Sequence, residues 1–316
     1  MNNPIYSYSS WIRSVFAFPV QKISIDAGFT CPNRDGTVGY GGCTFCDNLS
    51  FNPSYCTARH TVKKQIEDGK AFFARKYPAM KYLAYFQAYS NTYSNSIERL
   101  KSLYEEALAE DGVVGLVIGT RPDCVSEQLL DYIERLSGQT FVTVEYGIES
   151  ANDRTLKAVN RGHTFECARK AIEQTAERGI ITGGHVIIGL PGEDAAECLR
   201  QAPIISSLKL TILKLHQMQI IKGTRLARQY AERPFHTYSA EEYMKLVARY
   251  LQLTRKDMVM ERFVSQSPKD MVIAPKWGLK NHEFTNMLVN YMKANGIYQG
   301  QLSTRKVQTC QTQTEQ

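Results

Sequence analysis

No stretch of this sequence is long and apolar enough to cross a bilayer, and its opening, "MNNPIYSYSSWIRSV", lacks the basic segment and unbroken apolar core of a secretory signal. Both absences lead to an expectation of the cytoplasm, with no membrane partner. Thiols stay reduced there, and clustered cysteines bind metal or do chemistry more often than they form disulfides. There is no proline- or serine-rich linker and no repeat at a solenoid period, which argues against a string of small modules. A second cysteine group is missing too. Cys124, Cys167, Cys198 and Cys310 are dispersed, so no second metal cluster is expected.

What is present suits one large α/β domain, alone or with an extension: 316 residues, 43% hydrophobic and 22% charged. The formal charge of +7 leans toward an anionic partner such as RNA. Six short apolar runs rich in β-branched and aromatic residues read as buried strands: 20–27, 81–88, 113–119, 140–147, 181–189 and 210–220. Helical patterns separate them. In "SIERLKSLYEEALAEDG" the apolar face is Ile97, Leu100, Leu103, Tyr104, Ala107 and Leu108, with Asn95 near the start and Gly112 after the end. "TFECARKAIEQTAERG" has Thr164 placed to cap it and Gly179 to stop it. Alternation of this kind implies right-handed βαβ units and a parallel sheet, either open or curled into a barrel, with ligands at the carboxyl ends of the strands. After about Met258 the rhythm changes: "VMERFVSQSP" offers a further strand and "NHEFTNMLVNYMKANG" a late helix. The polar tail from 304 to 316 is expected to be disordered.

Directly after the first strand comes "CPNRDGTVGYGGCTFC", with Cys31, Cys43 and Cys46. Three thiolates suit a [4Fe–4S] cluster, which has four irons and so keeps one open for another molecule. The competing reading is a closed zinc site that adds Cys56 as fourth ligand. On its own, Cys56 reads as an ordinary small apolar residue.

The remaining motifs favour iron. With "EYGIES", "NRGHT" and "HVIIGLPGE" behind the cysteines, the sequence resembles the radical S-adenosylmethionine (radical SAM) superfamily, most closely a bacterial subfamily with eleven residues between the first two cysteines. The radical domain of the Elongator catalytic subunit is similar, more distantly. The resemblance runs from about Val20 to Gly223 and, at subfamily level, to about Lys280. It implies that Cys31, Cys43 and Cys46 hold the cluster and that S-adenosylmethionine chelates the open iron. One electron would then cleave the cosubstrate to a 5′-deoxyadenosyl radical that abstracts hydrogen.

The same resemblance implies cosubstrate-binding roles for Glu149, on the ribose, and for Arg161, twelve residues later, on the methionine carboxylate. A guanidinium suits a carboxylate because it can form two parallel hydrogen bonds. In "YFQAYSNTY" the family's glycines are absent, so Gln87, Ala88, Ser90 and Asn91 are the candidates to receive the cosubstrate amino group; each also reads as an ordinary polar strand end. His185 falls where some relatives bind ribose. Glu145 on a strand inside a barrel needs a partner or a function. Lys214 and His216 share a strand face and either meet the substrate or form a buried hydrogen-bonded pair. In "GTRPDC", Arg121 and Asp123 either face the site or pair locally.

The expected architecture is a partial (β/α)6 barrel over residues 1–257, with an extension over 258–303. The resemblance and "APKWGLK", with lysines beside an exposed-looking Trp277, favour tRNA as substrate, modified on the wobble uridine side chain. A small metabolite is the alternative substrate. A flavodoxin- or ferredoxin-like protein is the expected reductant. A zinc-stabilised binding module is the alternative of another class.

Overall fold

The structure, a computed structural model, describes residues 3–74 and 79–303. The tail expected to be disordered lies outside the described residues. Helix α1 (Tyr8–Val15) precedes β1 (Val20–Ile25), α2 (Val62–Ala74) leads to β2 (Lys81–Phe86), and α3 (Ile97–Leu108) leads to β3 (Val113–Thr120). Next come α4 (Glu127–Ser137), β4 (Phe141–Glu149), α5 (Asp153–Ala158), α6 (Phe165–Glu177), β5 (Ile181–Ile188), α7 (Ala195–Ser206) and β6 (Ile212–Gln217). The chain continues through β7 (Ile220–Ile221), α8 (Arg225–Glu232), α9 (Ala240–Leu253), β8 (Val259–Arg262), β9 (Val272–Ala274) and α10 (Asn281–Ala294).

Helix starts follow local side-chain chemistry. Thr164 Oγ1 accepts the Cys167 amide at 3.3 Å and caps α6 as expected. The cap of α3 is Ser96, one residue after Asn95: its Oγ takes the Arg99 amide at 3.2 Å.

Among the described residues the main sheet has seven parallel strands in the order β1-β2-β3-β4-β5-β6-β8. The expectation of six strands falls one short. Val259–Arg262 completes the sheet because Met260 alternates outward into the core while Glu261 turns inward to a cation. The long strand expected over 210–220 divides, and β7 pairs antiparallel with β9 outside the main sheet.

Strand alternation sorts the two faces. Ile23, Ile25, Leu116, Ile118, Val142 and Val144 face the helices in the main core. Leu83, Tyr85 and Val117 point inward, where Ile12 and Trp11 of α1 pack on them. Trp11 lies 6.1 Å from Phe141, the first residue of β4, so α1 plugs the amino end of the barrel. The sheet curls far enough to bring its two edges together: Lys22 on β1 bonds Glu261 on β8 at 2.7 Å, and Ser7 bridges to Met260. With its amino end plugged, the barrel presents its carboxyl end as the open face.

The C-terminal elements pack against α9. Trp277 is not the exposed ring that its lysine neighbours suggest. It sits 5.1 Å from Tyr243 and 6.0 Å from Phe284, and Nε1 donates to the Tyr238 carbonyl at 3.0 Å. An indole so placed buries apolar area worth on the order of 2 kcal/mol. Lys276 and Lys280 beside it are exposed.

Candidate active site

The eleven-residue interval between Cys31 and Cys43 folds on itself into a compact lobe. The Cys31 carbonyl accepts from the Arg34 and Asp35 amides at 2.8 and 3.3 Å, and the Pro32 carbonyl accepts from Val38 and Gly39 at 2.8 and 3.2 Å. The Gly42 amide returns to the Asn33 carbonyl at 2.7 Å, and Cys46 N bonds Cys43 O at 3.1 Å. Gly41 and Gly42 hold φ of +76° and +73°, a left-handed turn that side chains with a Cβ rarely adopt. Two outside residues fasten the lobe: Asn160 Nδ2 and Arg225 Nη2 donate to the Gly42 carbonyl at 2.8 and 3.0 Å. A long interval therefore still returns Cys43 and Cys46 to the vicinity of Cys31. Burial pushes the Cys46 thiol up to about 11, with the Cys43 and Cys31 thiols adding to the rise and Arg34 opposing it. Cys56 is buried elsewhere; burial and then the Asp26 carboxylate raise its thiol to about 12.

Arg161 reaches this lobe from the turn after α5. Nη1 donates to Cys43 Sγ at 3.5 Å, Nη2 donates to the Gly147 carbonyl at 2.6 Å, and Nη2 lies 3.5 Å from Glu149 Oε1. Burial works against its charge, but the Cys43 thiol and the Glu149 carboxylate outweigh it and raise the guanidinium above its usual value. Gly147 makes this approach possible: a Cβ there would sit 2.5 Å from Arg161 Nη2 and 2.6 Å from Glu149 Oε1. Glu149 follows a bulge in β4 and holds φ of +68°, a strained conformation for a residue with a Cβ. Arg121 supports the group from below. It clamps Asp123 through two bonds of 2.8 and 2.7 Å and donates to the Arg161 carbonyl at 2.9 Å. The local pairing is thus the arrangement adopted, and it steadies Arg161.

The residues after β2 face the same end. Gln87 Oε1 accepts from Ser24 Oγ at 3.0 Å, Ala88 is fully buried, and the Ser90 amide donates to Thr30 O at 3.3 Å. Asn91 Nδ2 bonds the Gly119 carbonyl at 2.8 Å, while its Oδ1 is buried without a partner. Arg161 Nε is also buried and unpartnered. These orphaned groups offer an acceptor and a donor that suit a ligand carrying an amino group and a carboxylate, while among the described residues no three His, Cys, Asp or Glu side chains converge closely enough to hold a metal ion as they stand.

Below them lies an ionic network that sequence reasoning found only in part. Glu145, with a fully buried side chain, receives Lys214 Nζ at 2.6 Å and Lys22 Nζ at 2.9 Å, and lies 3.1 Å from His185 Nε2. Glu261 takes Lys22 at 2.7 Å and Lys214 at 3.3 Å. Gly183 gives Glu145 its room, since a Cβ there would approach Glu145 Cγ to 2.8 Å. Lys214 and His216 do not bond each other. Lys214 is committed to the carboxylates, whereas His216 stacks on His185 at 5.3 Å and meets Ser265 Oγ through Nδ1 at 2.8 Å. Lys22 and Glu261 were missed; the signal was alternation, which places Lys22 and Ser24 on the inner face of "VQKISI".

A curled parallel barrel with this cysteine lobe at its open end defines a class, and the comparisons agree with it. The chain belongs to the radical SAM superfamily: the family model "Radical SAM superfamily" matches residues 31–200, and "Radical_SAM C-terminal domain" matches 210–294. The YtqA protein of Bacillus subtilis (strain 168) is 33% identical over 294 residues, covering 93% of this chain and 91% of the relative. The tRNA uridine(34) acetyltransferase of Methanocaldococcus jannaschii is 24% identical over 207 residues, covering 65% of this chain but only 37% of that protein. Among solved structures, archaeal Methanocaldococcus infernus Elp3 shares the fold with a TM-score of 0.68 at 18% identity, over 89% of this chain and 64% of that one. The family implies a [4Fe–4S] cluster and S-adenosylmethionine. Among the described residues no helix is long and apolar enough to cross a membrane.

Proposed function

We propose that this protein is a radical SAM enzyme that modifies tRNA on the side chain of a wobble uridine. The observation that carries the enzyme reading is Arg161, held 3.5 Å from Cys43 Sγ and 3.5 Å from Glu149 on a barrel's open end. Cys31, Cys43 and Cys46 would ligate the cluster, which when bound supplies the electron for cosubstrate cleavage, delivered by a flavodoxin- or ferredoxin-like protein in the cytoplasm. Arg161 grips the methionine carboxylate through paired hydrogen bonds. Glu149 and His185 hold the ribose, and the backbone at Gln87 and Ala88, with Ser90 and Asn91, receives the amino group. Glu145 fixes the His185 ring from beneath. Lys22 and Lys214 hold that carboxylate in place, so the protein's contribution is alignment before reaction.

Support for tRNA is of a different kind. It comes from the similarity to an enzyme named for tRNA uridine 34, from the +7 charge, and from exposed Lys276 and Lys280 next to an anchored Trp277. The test of the enzyme class is anaerobic reconstitution with iron and sulfide, reduction, and assay for 5′-deoxyadenosine. The test of the substrate is nucleoside analysis of tRNA from a deletion strain, in which a precursor should accumulate at a uridine. Normal cosubstrate cleavage with an unchanged nucleoside profile would keep the class and discard tRNA.

A further inference from the structure

The junction of β6 and β8 contains a bulge that changes what faces the barrel. Leu213 pairs with Met260, but the next residue, Lys214, pairs with Arg262, so Glu261 is the extra residue on β8. Bulges re-aim side chains. Here Glu261 turns inward onto Lys22 and Lys214, and Arg262, half-buried, comes alongside Lys214 at the inner wall. Its charge reaches the inward residues. Burial first, then His185, then Arg262, hold the His216 imidazole well below its usual value. Burial also pushes the Lys214 ammonium down; Glu145 and Glu261 pull it back up, while Lys22 and Arg262 add to the depression.

Among the described residues, however, Arg262 makes no hydrogen bond or ion pair. The reason is a matter of charge balance. The neighbouring carboxylates, Glu145 and Glu261, are already held by two ammonium groups, Lys22 and Lys214. The guanidinium is one positive charge too many for this wall. Beside it His216 Nε2 is buried with no partner, while Nδ1 is occupied by Ser265 Oγ. A half-buried cation and an orphaned ring nitrogen, both at the inner wall, make a pair of donors suited to an anion.

We propose that Arg262 and His216 form an anion subsite that holds a carboxylate or phosphate group of the substrate at the β6–β8 wall. The guanidinium offers two parallel donors to paired oxygens. With Ser265 Oγ donating to Nδ1, His216 carries its proton on Nε2 and gives the anion a third hydrogen bond. The subsite rests on the reading that substrate enters this open end, but not on the substrate being RNA. The ionic network beneath it keeps Lys22 and Lys214 from competing for the anion, which leaves its position to Arg262.

The experiment titrates the intact protein with sodium acetate and, separately, with inorganic phosphate at constant ionic strength. It follows the ring C–H resonances of His216, assigned by their loss in His216→Asn. Saturable shifts are expected, and Arg262→Gln should weaken the anion by about tenfold or more. Arg262→Lys, which keeps charge but not the fork, should fall between, and it carries the test if the glutamine variant does not fold. Tighter acetate assigns the subsite to a carboxylate on the reacting group; tighter phosphate assigns it to a phosphate of the substrate. Absence of saturation, or wild-type titration in both variants, overturns the proposal. Neither probe involves RNA, so that failure is separate from failure of the tRNA reading, which the nucleoside profile decides.

Discussion

Lys22 and Glu261 stand 239 residues apart in the sequence, on opposite edge strands of the sheet, and their side chains meet at 2.7 Å. The pair closes the barrel wall by charge where no backbone ladder joins β1 to β8. Both ions are largely out of water, with side chains 13% and 11% exposed, so each depends on the other's company. Removing one partner of such a pair leaves an uncompensated buried charge, which typically costs about 3–5 kcal/mol. Lys22→Met should therefore destabilise the fold by roughly that amount in chemical unfolding. Lys22→Met combined with Glu261→Leu should recover most of the loss, because Glu145 and Lys214 remain as a neutral couple. A double variant as weak as the single one would show that the pair does not act as a unit.

Acid should expose the same network. Burial favours the neutral form of Glu145, but Lys214, Lys22 and His185 outweigh it and hold the carboxyl well below its ordinary 4.5. A carboxylate depressed in the folded state adds stability that is complete above its unfolded value and is lost as pH falls through the folded one. Unfolding free energy should thus be nearly flat from neutrality to about pH 5 and drop below it, by this group's share. Glu145→Gln should lower stability at pH 7 and flatten the acid slope. An unchanged slope would place the acid sensitivity elsewhere.

The cluster assignment predicts a sharp division among the cysteines. Cys31→Ala, Cys43→Ala or Cys46→Ala should each abolish the iron–sulfur absorbance of anaerobically reconstituted protein. Cys56→Ala should leave it intact, since burial first and the Asp26 carboxylate second, and none of the three lobe thiols, act on that thiol. Stoichiometric zinc in anaerobically purified protein, with Cys56 required, would point to the closed-site alternative.

Much of this molecule was legible before its structure. The six apolar runs became strands because buried parallel strands read as continuous hydrophobic segments. Thr164 capped its helix because a hydroxyl at that position satisfies a free amide. The seventh strand was seen as a strand but not as part of the barrel, because pairing β8 with β6 is a long-range choice. Its partners, Ile212 and Leu213 in the ladder and Lys22 across the barrel, lie about 45 to 240 residues away in sequence. Trp277 was misjudged for a related reason: its neighbours in sequence are lysines, while its neighbours in space are Tyr243 and Phe284. The compact fold of the 31–43 interval was equally hidden, since it depends on Asn160 and Arg225 from distant elements.

Arg161 offers a test that need not touch the arginine itself. Arg161→Ala should weaken S-adenosylmethionine binding by about 1.5–3 kcal/mol, the usual worth of a hydrogen bond to a charged group. Gly147→Ala should imitate it, because the new methyl would sit 2.5 Å from Arg161 Nη2 and force the guanidinium aside. Both variants should retain cluster content, read by iron and sulfide analysis alongside equilibrium binding. Wild-type affinity in Gly147→Ala would mean that Arg161 can serve from another position, or does not serve at all.

The last expectation concerns RNA. A protein that neutralises phosphates releases counterions, so its affinity falls steeply as salt rises. Binding of bulk tRNA should show that slope. Lys276→Glu and Lys280→Glu should weaken it toward all sequences alike, since a backbone contact carries no base information. These two side chains are exposed while Trp277 between them is anchored to the Tyr238 carbonyl, so charge reversal changes the surface and not the packing. Cluster content and cosubstrate cleavage should remain at wild-type levels in both variants, which separates lost RNA contact from lost folding. If tRNA binding proves insensitive to salt and to both reversals, the lysines are merely solvated. If the deletion strain's nucleosides are also unchanged, the tRNA reading falls and the small-metabolite reading takes its place. The cysteine lobe, Arg161 and Glu149 would keep their assignments in that case, because none of them is argued from RNA.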